Sequence, residues 1–480
     1  MSSSLMATFF GHPRGLATLF LTEYWERFSY YGMRALLILF MTASLERGGL
    51  GFDVVKAGAI YGIYAGMTYL ITLPGGWLAD RVIGQRKAVL YGGLVIAAGN
   101  YALAMPLILT FYLGLGLIVI GTGLLKPNVS TMVGQLYGQD HSRRDAGFSI
   151  FYMGINLGAL VSPLICSYLG EKINWHLGFA VAGLGMTLGV IQYRAGWKHL
   201  PGIGAAPRDS LSARRRLWQS LGMAALLAVL AVVLGWIGVF KVTPAGLSKS
   251  LGLALLIIVV VTFSWLFRMK GWTPVERKRL GAVLVFFFAS ALFWSLFEQA
   301  GSTLNLFAEL NTNRSLFGGF PAGWFQSEEP LFVIMLAPVF AWLWVHMGKW
   351  ELSTGSKFAT GLLFAGFSFL ILVPVAGRTH NSPMWLTWSY LLVTVGELCV
   401  SPVGLSVTTK LAPARVAGLM MGFWFLSDSV GNYVGGTLAS FYQSVALPRL
   451  FGISAVAALA AALALFVFVP SVKKLMGGVK

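Results

Sequence analysis

Charge is scarce in this chain of 480 residues: only 11% are Asp, Glu, Lys or Arg, where a soluble domain carries about 25%. With 57% apolar residues and a mean hydropathy of +0.74, that scarcity excludes an ordinary soluble enzyme and a disordered chain. Acids are scarcer still, 17 against 35 Lys and Arg, for a net charge of +18. The excess does not mark a nucleic-acid binder, because the bases gather in short loops between long apolar runs, as the positive-inside rule requires. Cysteine is nearly absent. Cys166 and Cys399 lie far apart in apolar segments, which excludes a disulfide framework and a cysteine-based metal site. The six histidines are scattered over loops and helix ends, with no HExxH and no GxSxG with a suitable His partner, which argues against a membrane-embedded enzyme. No cleavable leader is expected, since the first apolar segment contains Glu23, Glu26, Arg27 and Arg34.

Apolar runs are what the chain has in abundance, and 58 glycines suit close packing of membrane helices. Reading runs of about 20 residues as spanning helices gives an all-α membrane protein of 14 spans. Six cover roughly 15–44, 54–79, 88–108, 112–136, 146–168 and 177–196; an inserted pair covers roughly 217–240 and 249–268. The last six cover roughly 280–308, 328–347, 357–377, 384–409, 414–443 and 449–471. The expected domains are an N-terminal six-helix bundle over 1–200, a linker with the inserted pair over 201–275, and a C-terminal six-helix bundle over 276–480. Placing the N-terminus inside puts 24 Lys and Arg on that side, 8 on the other and three (Arg27, Arg34, Lys126) within the membrane, so both termini are expected to be cytoplasmic. Two bundles flanking a midplane site is a transporter architecture. The inserted pair has no ionisable residue between Trp218 and Phe240 or between Ser250 and Phe267, and reads as a lipid-facing hairpin without a part in transport.

An ionisable residue within a span is costly and therefore functional by default. In the first span, Glu23, Glu26, Arg27, Tyr30, Tyr31 and Arg34 fall at offsets that place them on one helix face, within an arc of roughly 140°. Such a stripe either lines a wet cavity or forms a buried ion-pair network, and the number of ionisable groups favours the cavity. Lys126 ends the fourth span, Glu298 lies in the seventh after Trp294, Glu397 in the tenth before Ser401, and Asp428 in the eleventh after Trp424. Five intramembrane acids against three bases suit binding and release of protons. Tyr64, Tyr69 and Asn156 are polar companions able to add hydrogen bonds or simply to pack.

Two stretches carry a resemblance. Gly75-Gly76-Trp-Leu-Ala-Asp80-Arg81-Val-Ile-Gly84-Gln-Arg86-Lys87 is similar to the loop signature of the major facilitator superfamily, in which acid and bases latch helix ends on the cytoplasmic side; Asp80 and Arg81 are thus the gating-loop candidates. Glu23 to Gly32 resembles the ExxERFxYYG motif of proton-dependent oligopeptide transporters at every fixed position. Phe151-Tyr152-Met-Gly-Ile155-Asn156-Leu-Gly158, Lys126, Trp294 with Glu298-Gln299, and Gly396-Glu397-Leu-Cys-Val-Ser401-Pro402 match that family in order, as does the inserted pair.

The resemblance implies a major facilitator fold and a proton-coupled symporter importing di- and tripeptides by alternating access, monomeric, with protons as coupling ion and no metal or other cofactor. It implies proton coupling by Glu23, Glu26, Arg27, Arg34 and Glu298, with Arg34 and Glu298 pairing across the bundles. Arg27 and Lys126 then attract the peptide carboxylate, and Glu397 with Asn156 receives its ammonium. When the site is empty, Lys126 is expected to balance Glu23 or Glu26. Tyr30, Arg34, Tyr64, Tyr69, Trp294, Glu298, Glu329, Ser401 and Trp424 complete the expected substrate site. A tripeptide extends at most about 10–11 Å, so charges on facing bundles can hold both ends. The rival cargo is another small anion or peptide-like compound on the same fold. Two residues depart from the family pattern: Glu329 stands where Asn commonly precedes the proline, as either a mouth acid in solvent or a substrate contact, and Asp428 stands where an uncharged polar residue is expected.

Overall fold

The computed structural model describes residues 8–138, 141–205, 243–315, 319–348, 351–412 and 416–477. The first six spans are α1 (Arg14–Thr42), α2 (Val54–Leu70) continued by α3 (Thr72–Leu78), α4 (Gln85–Leu103), α5 (Ile108–Gln135), α6 (His141–Lys172) and α7 (Trp175–Gly196). Of the inserted pair, α8 (Pro244–Arg268) is described, while residues 217–240 lie outside the described residues. The last six are α9 (Pro274–Phe297) with α10 (Thr303–Leu310), α11 (Glu328–Met347), α12 (Thr354–Leu370), α13 (Met384–Leu411), α14 (Ala417–Leu438) and α15 (Leu447–Met476). Nine helical stretches among the described residues are long and apolar enough to cross a membrane. α1 is not one of them, because Glu23, Glu26, Arg27 and Arg34 interrupt the apolar run, yet most of it is buried. A helix that is polar and buried is shielded from lipid by its neighbours.

Helix starts follow local rules. Asp53 accepts from the Lys56 amide at 2.7 Å to cap α2, and Thr273 with Glu276 forms a reciprocal capping box at α9. Pro127 lies inside α5 and cannot donate to the carbonyl of Gly123 four residues earlier. That carbonyl faces Gly75 of α3, where a Cβ would collide with it, so glycine permits the crossing that carries Lys126 toward the centre.

In the N-terminal half α1 packs on α6 and α7, and α4 on α5 and α7; in the C-terminal half α12 packs on α13 and α15, and α9 on α14. Among the described residues the halves meet at α2 against α14, at α6 against α11 with the turn Ala322–Ser327 that precedes it, and at α1 against α10 and the turns on either side of it. α8 packs on α2 and α14, where the Tyr433 hydroxyl donates to the Ser248 carbonyl at 2.7 Å and Phe263 stacks on Phe423 at 4.9 Å. The inserted pair is therefore not wholly lipid-facing: its second helix covers one seam.

Two spans are less regular than their apolar pattern implies. The second breaks at Ile71 and ends in a π turn over Ala79–Ile83. The seventh, expected as one helix over 280–308, breaks at Glu298, where a 3-10 turn over Glu298–Gly301 separates α9 from α10. An interrupted helix at membrane depth is tolerated where partners satisfy the freed groups. Here the Tyr390 hydroxyl donates to the Ala300 carbonyl at 3.4 Å, while the Ser302 hydroxyl donates to the Gly435 carbonyl at 3.1 Å and the Asn305 amide to the Ala35 carbonyl across the halves at 2.8 Å, anchoring the break.

Candidate functional site between the two halves

The stripe on α1 forms as its spacing requires. Arg27 Nε lies 3.2 Å from Glu23 one turn earlier and also pairs with Glu26; its guanidinium carbon is 5.1 Å from the Tyr30 ring centre and 6.0 Å from that of Tyr31. Glu23, Glu26, Arg27 and Tyr30 are all buried. Arg27 Nη2, Glu23 Oε2 and Glu26 Oε1 are buried without a hydrogen-bond partner among the described residues. Buried polar atoms in that condition call for water or a ligand.

One turn further, Arg34 leaves its own half. Its Nη2 lies 3.2 Å from Glu298 Oε2, its Nε donates to the Tyr61 hydroxyl at 3.2 Å, and the Tyr31 ring lies 5.4 Å from its guanidinium carbon. Arg34 is 2% exposed and Glu298 3%, so the pair is sealed from solvent. Gly301 backs it: a Cβ there would collide with the Tyr61 hydroxyl and Arg34 Nε. Tyr61 and Gly301 were not among the sequence-derived site residues. Tyr61 sits three residues before Tyr64 on one face of α2, a visible signal; Gly301 gives none until the halves are docked.

Lys126 stands differently from its expected place. Arg27 occupies both acids of α1, and the Lys126 ammonium lies 3.6 Å from the centre of the Tyr69 ring, a cation–π contact. Among the described residues it makes no ion pair within 4.0 Å; Arg27, Glu26, Asp428 and Glu23 surround it at longer range. Arg27 had the shorter reach because it shares a helix with both carboxylates, whereas Lys126 must cross from α5.

The C-terminal half contributes acids. Glu397, midway along α13, accepts from the Tyr152 hydroxyl of α6 at 3.4 Å on Oε1, and its Oε2 has no donor among the described residues. Glu329, in the first turn of α11, is 8% exposed and within hydrogen-bonding reach of Glu397, so it is not an acid in solvent at the mouth. Asp428 of α14 is buried, with Oδ1 unpartnered among the described residues, and interacts with Lys126 and Glu298. Tyr152 is a further residue that sequence reasoning quoted only as part of a motif.

Other candidates have less to do with this charge cluster. Asn156 is buried, and its amide donates to the Tyr152 carbonyl at 3.0 Å within α6. Among the described residues the buried Tyr64 hydroxyl and Trp294 Nε1 find no hydrogen-bond partner, with Trp294 packed on Phe293 and Phe297. Trp424 is buried against Gly404, three residues beyond Ser401, which is half-buried. Asp80 and Arg81 lie away from the centre and form no ion pair among the described residues: Asp80 accepts from Gln85 at 2.9 Å. It is Arg86 that latches this end, donating to the Leu200 carbonyl at 2.6 Å and to Ile203 at 3.0 and 3.1 Å. At the opposite end Glu171 of α6 accepts from the amides of Ala322 at 2.7 Å and Gly323 at 2.9 Å and from Arg314 at 3.4 Å, joining the halves. Glu171 escaped the sequence reading because it follows an apolar run next to Lys172 and looks like a loop acid.

Two helical bundles with buried, opposed charges at their seam have the architecture of a polytopic membrane carrier. Residues 86–450 match the family model described as PTR2, POT family. The chain is 44% identical to the uncharacterized transporter YclF of Bacillus subtilis, over 98% of this chain and 96% of the relative. It is 39% identical to the peptide transporter YePEPT of Yersinia enterocolitica, with the same coverage. Among solved structures it is similar to a peptide transporter POT in complex with sulfate, at TM-score 0.94 and 43% identity over 98% of both chains. A POT family transporter in complex with 5-aminolevulinic acid gives TM-score 0.92 and 35% identity, over 97% of this chain and 98% of that one. The chain belongs to the POT family of transporters, and its fold is the major facilitator fold of that family.

Proposed function

We propose that this protein is a monomeric, proton-coupled symporter that imports di- and tripeptides across the plasma membrane by alternating access, with both termini cytoplasmic. The observation that carries the reading is the buried Arg34–Glu298 pair, formed between halves that each bear unpartnered charged groups. Protonating Glu298 removes its charge, releases Arg34 and weakens one bond between the halves, so proton binding biases the equilibrium between two conformations. On the N-terminal side, Arg27 Nη2 and the Lys126 ammonium are donors open to a carboxylate. On the C-terminal side, Glu397 and Glu329 offer acceptors to an ammonium. Cation on one half and acid on the other match the two termini of a short peptide. Recognition by termini leaves side chains loosely read and gives broad specificity.

The cytoplasmic placement of the termini rests on the threefold excess of Lys and Arg in the loops on that side. A rival cargo, a small amino-carboxylate compound, presents the same two groups, and one POT relative holds 5-aminolevulinic acid. Uptake of labelled dialanine into liposomes under an imposed inward proton gradient tests the reading. Accumulation above equilibrium, abolished by an uncoupler, is expected. Accumulation that ignores the gradient removes proton coupling; absence of uptake with dialanine but uptake of 5-aminolevulinic acid removes the peptide.

A further inference from the structure

Glu329 and Glu397 come from different helices, α11 and α13, that pack against each other, and their carboxyls meet within hydrogen-bonding reach. Both are more than nine-tenths buried. An ionised carboxyl only accepts hydrogen bonds, so contact between two of them requires a proton on one. Two carboxylates in contact and away from water cannot both stay charged. The other charged and titratable groups facing the pair are Tyr31 and Arg34 from α1, Tyr152 from α6, Glu298 at the end of α9 and Tyr390 from α13. Arg34 is the cation among them, and its guanidinium is already held by Glu298 and Tyr61. Tyr152 satisfies Glu397 Oε1, while Glu397 Oε2 receives no N–H or hydroxyl from the described residues.

We infer that Glu329 and Glu397 share a single proton when the site holds no cargo, and that the ammonium group of the cargo displaces it. The exchange balances. One O–H bond breaks and its proton leaves to solvent; the ammonium then lies between two carboxylates, and the local charge is minus one before and after. Nothing but the arriving amine is needed. The exchange rests on the peptide reading; the shared proton does not. It adds to Arg34–Glu298 a second place where proton and cargo meet, and it depends on Glu329, where the family pattern has Asn.

Infrared difference spectroscopy on the full-length protein in lipid vesicles tests both parts, using Glu329→Gln and Glu397→Gln with thermal melting as a control for folding. At neutral pH the carbonyl stretch of one protonated carboxyl is expected in the unaltered protein and is missing from each variant, because the remaining acid has lost its sharing partner. Saturating dialanine should remove that band and release about one more proton per bound peptide than in Glu329→Gln, read with a pH dye in weak buffer. Absence of a band difference between the unaltered protein and Glu329→Gln overturns the shared proton. A band that persists when dialanine is bound, with equal proton release in both proteins, overturns the exchange. If dialanine does not bind at all, the peptide reading falls and the exchange with it, while the carbonyl band still decides for or against the shared proton.

Discussion

The two halves of the protein handle their buried charge in opposite ways. In the N-terminal half, Glu23 and Glu26 both pair with Arg27 within one helix, one cation for two acids, and Arg34 and Lys126 remain as cations facing the seam. The central groups of the C-terminal half named above are Glu298, Glu329, Glu397 and Asp428, four acids without a cation among them. Pairing inside α1 survives any relative movement of the halves; pairing between them does not. The pairs within α1 are therefore independent of that movement. Charge in the second half is conditional, and must be relieved by Arg34, by a proton or by the cargo, since an unpaired charge in a desolvated site is costly.

The largest effect is expected where the halves meet. Glu298→Gln leaves Arg34 without its counter-charge, a loss of roughly 3–5 kcal/mol for a broken buried pair. The variant should lose proton-driven accumulation of dialanine yet retain counterflow, both measured in the same proteoliposomes. Retained accumulation would make the pair structural, like those within α1.

Lys126→Ala sharpens the contrast from the other side. Since Lys126 rests on Tyr69 and not on a carboxylate, its removal should lower the melting temperature little while dialanine uptake falls to background. A large loss of stability would show that Lys126 belongs to the permanent network of α1 after all.

Gly301→Ala is expected to act more gently on the cross-half pair. The new Cβ displaces Tyr61 or Arg34, at an overpacking cost of about 1–3 kcal/mol, and uptake should fall about tenfold without loss of insertion. Smallest is Tyr433→Phe, which removes the two hydrogen bonds that its hydroxyl makes with Ser248 of α8, the shorter worth about 1 kcal/mol. Melting should shift by a few degrees and uptake stay within about twofold, if α8 only covers the seam. Strongly reduced uptake would give the inserted helix a part in the movement.

How much of this was legible in the sequence follows from the same contrast. The α1 stripe was readable because its partners lie three and four residues apart, a spacing helix geometry fixes. The spans were readable because length and hydropathy fix them. The Arg34–Glu298 pair followed only from family resemblance, since 264 positions separate the partners and no local rule links them. Lys126 on Tyr69, Glu329 against Glu397 and the Glu171 latch depend on how independently packed helices dock. So does the break at Glu298–Gly301: the apolar pattern runs through it, and Ser302 and Asn305 find their partners only in the assembled protein.

Whether Glu298 is the conditional charge can be read directly as a distance. Spin labels placed at the exposed positions Glu46 and Arg378, in loops of opposite halves at the end of the molecule held by Glu171, report how that end opens. Both native cysteines are buried and can be replaced beforehand. Pulsed electron resonance in lipid should show the distance distribution moving to longer values as pH falls in the unaltered protein, and already long and independent of pH in Glu298→Gln. A pH response in Glu298→Gln equal to that of the unaltered protein would contradict the switch and place the coupling proton elsewhere.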